Sequence, residues 1–322
     1  MPGPDAAPPV GARERFTLTP GRYRVVVAVA LALLAAIVVT GAAVRLTGSG
    51  LGCEDWPNCS NEQFIAASNV NQAIEQVNRL FTGLVSLSVI AAVLGSLRRR
   101  PYRRDLVWWS WGLVAGVVGQ VVLGGITVLL SLNPYVVAAH FVLSQVLVAN
   151  AVILLWRNGQ APGPRAPVVD RTDLVISRVA VAFAALMMIS GPAVTGSGPH
   201  AGDERAERFG WFIPDVTRVH SINMWLFLAT LLVVLVRLGR RGAPEGVIRR
   251  GRALLAAIVA QGAIGYTQYE LGIPAWLVAF HIAGATLVVG LTVWWHLGLS
   301  APVGRPQSDG PDRPAAPTGA NA

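Results

Sequence analysis

Apolar residues in this chain come in long unbroken blocks, not in the alternating or three-and-four-spaced stripes of half-buried strands and helices. Val25 to Val44 carries no charge, nor does Leu80 to Leu97, and Leu106 to Trp156 runs 51 residues without one. A helix crosses a bilayer in roughly 20 apolar residues, so each block is long enough to span. Asn133-Pro134 divides the longest block in two. A second set follows at about 174 to 197, Val219 to Val236, about 253 to 269 and about 274 to 298, the last two parted by Glu270 and Pro274. The pattern predicts an all-α integral membrane protein with eight transmembrane helices. The first block is too long for a cleaved signal, and no A-x-A-like site follows it, so it is read as a retained span.

Composition agrees: 53% of the 322 residues are hydrophobic and 13% charged, against about 25% charged in soluble domains. All 26 basic residues are arginine, and 21 of them fall before the first span, at 98 to 104, at 157 to 178, at 237 to 252 and in the tail. These are alternate connections, which puts them and both termini on the cytoplasmic side. The opposite connections hold nine of the 17 acidic residues, among them Glu54, Asp55, Glu62, Asp203, Glu204, Glu207 and Asp215. The net charge of +9 is therefore a topology signal, and nucleic acid is excluded as its reason. The arginine-only, alanine-rich usage points to a bacterial plasma membrane.

The chain repeats itself. VTGAAVRLTGSG at 39 to 50 returns as ISGPAVTGSG at 189 to 198, and QVNRLFTGLVSL at 76 to 87 answers TRVHSINMWLFL at 217 to 228. GQVVLGGITVLLSLNPYVVAAH at 119 to 140 answers AQGAIGYTQYELGIPAWLVAFH at 260 to 281. Offsets of 148, 142 and 141 residues make two pseudo-symmetric four-helix bundles in parallel topology. The expected organisation is a cytoplasmic tail over 1–20, a first unit over 21–160, a linker over 161–173, a second unit over 174–299 and a tail over 300–322. Both tails are Pro/Ala-rich and read as disordered.

Three of the five histidines, His140, His220 and His281, occupy equivalent repeat positions, and Asn78 holds the fourth. Each half thus has one such residue on its second helix and one on its fourth, all at similar depth. An ionisable residue inside a span is a functional hypothesis by default, though any single histidine can instead be hydrogen-bonded across helices. Paired histidines without nearby carboxylates or thiolates suit haem iron better than zinc, and the small residues around them allow a macrocycle close to the backbone. An amide is a poor ligand, so the first half offers only His140 as a strong axial ligand. Glu75 lies one turn from Asn78 on about the same face, either as a rim carboxylate paired to Arg79 or Arg45 or as a proton-relaying group.

These residues resemble the haem A synthase family, over about residues 20 to 298. The resemblance rests on GAAVRLTGSGLGCEDWPNC, on I-E-x-x-N-R-L at 74 to 80, and on histidines 140, 220 and 281 in a duplicated frame. It implies a haem b cofactor held by His220 and His281, and a haem O substrate bound near His140, Asn78 and Arg79. It implies Glu75 as the catalytic carboxylate, and oxidation of a porphyrin methyl to a formyl group, giving haem A for cytochrome oxidase. It departs at Asn78, where the family has histidine. An electron-transfer partner, the haem O synthase and oxidase assembly factors are the partners implied, besides the lipid bilayer.

Cys53 and Cys59 map onto the family's cysteine pair in the first outer loop. On that side of a membrane disulfides persist, and the spacing closes a small loop. His200 reads as a loop hydrogen-bonding residue, and Trp294, Trp295 and His296 as interfacial. Two rival readings are a transporter with a duplicated fold and a haem b electron carrier without chemistry on haem.

Overall fold

The computed structural model describes residues 17–60, 63–65 and 67–303. Eight helices make up nearly all of it. The first four are α1 (Pro20–Leu46), α2 (Val70–Arg98), α3 (Arg104–Leu129) and α4 (Pro134–Asn158). The second four are α5 (Arg171–Ser197), α6 (Ile213–Arg240), α7 (Glu245–Glu270) and α8 (Ala275–Leu297).

The helix starts follow from local chemistry. Side chains of Thr19, Asn69, Asn133 and Asp170 accept backbone N–H groups at the starts of α1, α2, α4 and α5, which otherwise lack partners. Proline occupies the first turn of α1, α4 and α6, where its missing N–H costs nothing.

Seven of the helices are long and apolar enough to cross a membrane. The other is α7, which carries Arg249, Arg250 and Arg252 near its start, Gln261 in its interior and Gln268 and Glu270 at its end. Two further differences from expectation lie on the basic side. The residues just after α8, expected to begin a disordered tail, form β2 (Ser300–Pro302), which pairs antiparallel with β1 (Arg165–Pro167) inside the expected linker. Arg165 holds them together by donating to Ser300 Oγ at 3.1 Å. The remainder of both expected tails, 1–16 and 304–322, lies outside the described residues.

Helices α1 to α4 close one ring, each packing on the next and α4 on α1, and α5 to α8 close a second in the same order. The rings meet where α8 packs on α1 and α4, and α4 on α5. At this seam Gln145 Nε2 donates to Thr286 Oγ1 at 3.2 Å, a bond between repeat-equivalent residues 141 positions apart, as a pseudo-two-fold axis requires.

The repeat extends to backbone conformation. The α3–α4 turn puts Ser131 and Leu132 at φ of 48° and 62°, and the α7–α8 turn puts Gly272 and Ile273 at 76° and 60°. Positive φ is costly for Leu and Ile, so both turns are held by tertiary contacts. Leu132 packs with Leu51, Ala201 and Ala206, and the Ile273 carbonyl accepts a hydrogen bond from His200 Nε2 at 2.8 Å.

The two apolar cores lie toward the arginine-rich ends. One gathers Tyr23, Leu34, Val89, Leu113 and Leu154, the other Phe227, Leu231, Leu254, Ile258 and Trp295. Trp295 is fully buried, which corrects its expected interfacial place; Trp294 beside it is exposed. Toward the disulfide side the packing thins. No side chain is buried between 77 and 84 on α2, 135 and 144 on α4, 213 and 226 on α6, or 259 and 270 on α7. Both bundles are tight at the basic end and open at the level of the conspicuous histidines.

Candidate functional site

His140 and His281 sit six residues into α4 and α8, about 9 Å from the helix start at 1.5 Å per residue. Asn78 and His220 lie at comparable depth on α2 and α6. Each imidazole has its edge against bare backbone. A Cβ added at Gly124 would stand 3.5 Å from His140 Cε1, at Gly191 3.6 Å from His220 Cε1, and at Gly265 3.3 Å from His281 Cε1. The approach is tightest at Gly265, where even a Cβ would press on the His281 ring.

In the second bundle the imidazoles of His220 and His281 face each other with centroids 6.3 Å apart. An iron bonded to one nitrogen of each ring at about 2 Å puts the ring centres about 6 Å apart, so the spacing fits two axial ligands of one iron. Ser190 Oγ donates to the Met187 carbonyl at 3.0 Å, so toward His220 Nδ1, also at 3.0 Å, it acts as acceptor. The ring proton is thereby fixed on Nδ1 and the Nε2 lone pair is left for a metal. Among the described residues no three His, Cys, Asp or Glu side chains gather as a structural zinc site would need. The donor set fits haem.

The first bundle repeats the arrangement with one change. Thr40 stands where the second has Ser190, and its hydroxyl donates to Asn78 Oδ1 at 2.9 Å. Asn78 is thus anchored like His220 but offers an amide in place of a ring nitrogen. His140 Nδ1 is buried without a hydrogen-bond partner, as is His281 Nδ1, and Gln120 Nε2 ties α3 to the His140 carbonyl at 3.0 Å. Nothing in the residue types at Thr40 and Ser190 singles them out in the sequence. The signal that could have found them is their alignment in V-T-G and I-S-G of the repeat.

Glu75 is buried and belongs to a different cluster. Its Oε2 accepts the Cys53 N–H at 2.8 Å, and its Oε1 accepts Arg79 Nε at 3.0 Å and Nη2 at 2.6 Å. Arg79 also donates to the carbonyls of Asp55 and Asn58 at 3.2 and 3.0 Å. Cys53 and Cys59 are bonded as a disulfide, and both are fully buried. Glu75, Arg79 and the disulfide loop therefore form one clamp, which answers which arginine pairs with Glu75. Arg45 is engaged elsewhere, donating to the carbonyls of His200 and Thr195 across the seam at 2.6 and 3.1 Å. The loop also reaches inward: Trp56 packs on Gly125 of α3, next to the glycine that faces His140.

The α1–α2 and α5–α6 loops are sewn together above these sites. Gly50 N donates to the Gly202 carbonyl at 2.8 Å, and Arg205 pairs with Glu54 at 3.0 Å across the two halves. Asp203, outside the helices, has its carboxyl held below the usual range, chiefly by the Arg205 hydrogen bond.

A duplicated bundle of membrane-crossing helices, with a facing imidazole pair in one copy and an amide and imidazole in the other, defines a multi-pass membrane protein whose histidines suit a haem. A family model described as cytochrome oxidase assembly protein matches residues 24–202. A haem A synthase of Methylobacterium sp. (strain 4-46) is 30% identical over 315 residues, covering 81% of this chain and 88% of that protein. One from Methylobacterium nodulans is 27% identical over 322 residues, covering 81% and 87%. One from Lysinibacillus sphaericus is 31% identical over 120 residues, 37% of this chain and 38% of its own length. The chain belongs to the cytochrome oxidase assembly protein family, whose haem A synthase members are haem-binding.

Proposed function

We propose that this chain is a haem A synthase, oxidising a methyl group of haem O to a formyl group and so making haem A for cytochrome oxidase. The observation that carries the reading is the unequal pair of equivalent sites, in a chain similar along most of its length to haem A synthases. His220 and His281 hold the resident cofactor, haem b, with Ser190 fixing the His220 tautomer. A bound haem b supplies one-electron exchange. His140 holds the iron of the substrate haem O, and Asn78, lacking a ring nitrogen, leaves the opposite side of that iron open.

Glu75 is the carboxylate that would assist proton removal as the methyl carbon and water give the alcohol, and the alcohol then gives the formyl group, two electrons and two protons leaving at each step, the electrons to the electron-transfer partner. Arg79 holds Glu75 in place and contributes positive charge above the substrate, where propionates need it. The electron-transfer partner is a separate protein or small redox carrier, and the haem O synthase and oxidase assembly factors are its neighbours in the pathway.

All eight helices span in this reading. The 26 residues of α7 are about 39 Å long, more than the roughly 30 Å hydrocarbon core, and an even count returns both termini to the arginine-rich, cytoplasmic side.

Haem extraction from purified protein tests the assignment. Wild type is expected to yield haem b together with haem O or haem A, and Glu75→Ala to yield haem b and haem O without haem A. An extract free of haem overturns the reading. Undiminished haem A from Glu75→Ala reduces Glu75 to a clamp for the loop.

A further inference from the structure

At the basic end each bundle places an arginine against tryptophan, but only one of the two charges is balanced. In the first bundle Arg157 of α4 lies over the Trp109 ring of α3 at 5.4 Å and pairs with Asp105 at 3.5 Å. In the second the cation has changed helices. The 141-residue shift that takes Gln145 to Thr286 takes Trp109 to Arg250, Arg157 to Gly298 and Asp105 to Gly246. Arg250 of α7 fits between Trp156 at 5.0 Å and Trp294 at 5.7 Å, across the seam between the halves. Glycine stands where the carboxylate would be, and a Cβ built there would be 3.7 Å from Arg250 Nη1.

Among the described residues Arg250 makes no salt bridge, and its Nε is buried without a hydrogen-bond partner, as is Trp156 Nε1. The nearest acid in sequence, Glu245, is paired with Arg252 at 3.7 Å.

We propose that Arg250, held between Trp156 and Trp294, binds the phosphate of an anionic phospholipid on the side where Gly246 supplies no carboxylate. The chemistry is complementary on three counts. A half-buried guanidinium needs an anion, and its fork matches phosphate oxygens. The arginine-rich end of the helices is the leaflet side where anionic headgroups face the protein, and basic pockets between helices there bind them. Exposed Trp294 places the site at the depth where aromatic rings meet the headgroup layer. The ligand would bridge the two halves, since Trp156 belongs to the first and Arg250 to the second. The inference stands apart from the haem assignments.

The test uses full-length protein in native mass spectrometry, with phosphatidylglycerol, phosphatidylcholine or inorganic phosphate as the probe. Wild type is expected to retain phosphatidylglycerol in preference to phosphatidylcholine. Arg250→Gln is expected to lose about fivefold or more of that retention, on the scale of one basic side chain near a charged leaflet. Arg157→Gln is expected to retain it. Gly246→Asp, which restores the internal carboxylate of the first bundle, should release the lipid from a folded protein, so misfolding of Arg250→Gln does not decide the matter. Unchanged phosphatidylglycerol retention by Gly246→Asp overturns the proposal. Displacement of the lipid by an equal concentration of inorganic phosphate also overturns it, in favour of a free-anion site.

Discussion

The two bundles share ring order, turn conformation and even the hydroxyl that anchors each second-helix residue, yet they diverge at three levels of depth. At the disulfide face only the first has a cross-linked loop, clamped by Glu75 and Arg79. At the level of the histidines the first presents Asn78 where the second presents His220. At the basic end Tyr23 and Gly95 of the first become buried Asp173 and half-buried Arg237 in the second, bonded at 2.5 Å. A duplicated scaffold is free to diverge wherever the shared packing does not need a particular side chain. The seam and the turns keep their geometry while their residues differ, Gln145 facing Thr286 and Leu132 answering Ile273. In the function proposed above, the difference at the histidines is a division of labour between cofactor and substrate halves.

The largest effect expected from breaking this division comes from removing one imidazole on each side. His281→Ala is expected to abolish the haem b absorption and with it haem A formation, because no other side chain replaces the lost ligand. His140→Ala is expected to keep the haem b spectrum while haem A disappears from the extract. Equal loss of haem b in both variants would dissolve the distinction between cofactor and substrate halves.

Making the halves alike is the next step down. Asn78→His gives the first bundle a second imidazole, already tethered through Thr40 as His220 is through Ser190. The reduced wild type with bound haem O is expected to bind carbon monoxide at the substrate iron, and Asn78→His to bind little. Equal carbon monoxide difference spectra would show that Asn78 does not keep that side open.

Much of this asymmetry is legible in the sequence, and the reason is physical. Spans are legible because lipid forbids unpaired charge over about 20 residues, and seven of the eight stand out on that ground. The histidines are legible because buried ionisable groups are rare and these recur at matched spacing. What escapes is side-chain direction. Glu75 shares a helix face with Asn78, but its carboxylate bonds to the Cys53 N–H of the loop. Thr40 and Ser190 look like ordinary helix residues until α1 meets α2 and α5 meets α6. The pairing of β1 with β2 depends on two segments more than a hundred residues apart, which no local pattern announces.

Ser190 offers a finer cut at the second bundle. Ser190→Ala removes the acceptor for His220 Nδ1–H without touching a ligand. Outer hydrogen bonds of this kind are worth about tenfold to a hundredfold in metal affinity, so haem b should be retained more weakly and its reduction potential should rise, as the imidazole becomes a poorer donor. Thr40→Ala should leave that potential unchanged. A potential that moves equally in both variants would mean that the hydroxyls act on general packing and not on the ligand.

The smallest effect is expected where the halves differ in packing alone. Tyr23 is fully buried in the first core, with its hydroxyl 2.9 Å from Ser110 Oγ and its ring against Gly95. Ser110 already donates to the Leu106 carbonyl at 2.8 Å, so Tyr23 is the donor of the pair. Tyr23→Phe keeps the ring in place and removes one neutral hydrogen bond, for a loss of about 1 kcal/mol, and a thermal melt of the purified protein in detergent should register a small decrease. Haem b content and haem A yield should not change, because the bond lies at the tight end of the bundle, far along α1 from Thr40. A large loss of haem from Tyr23→Phe would mean that the basic-end core and the open end are coupled, and that the two levels at which the halves diverged did not diverge independently.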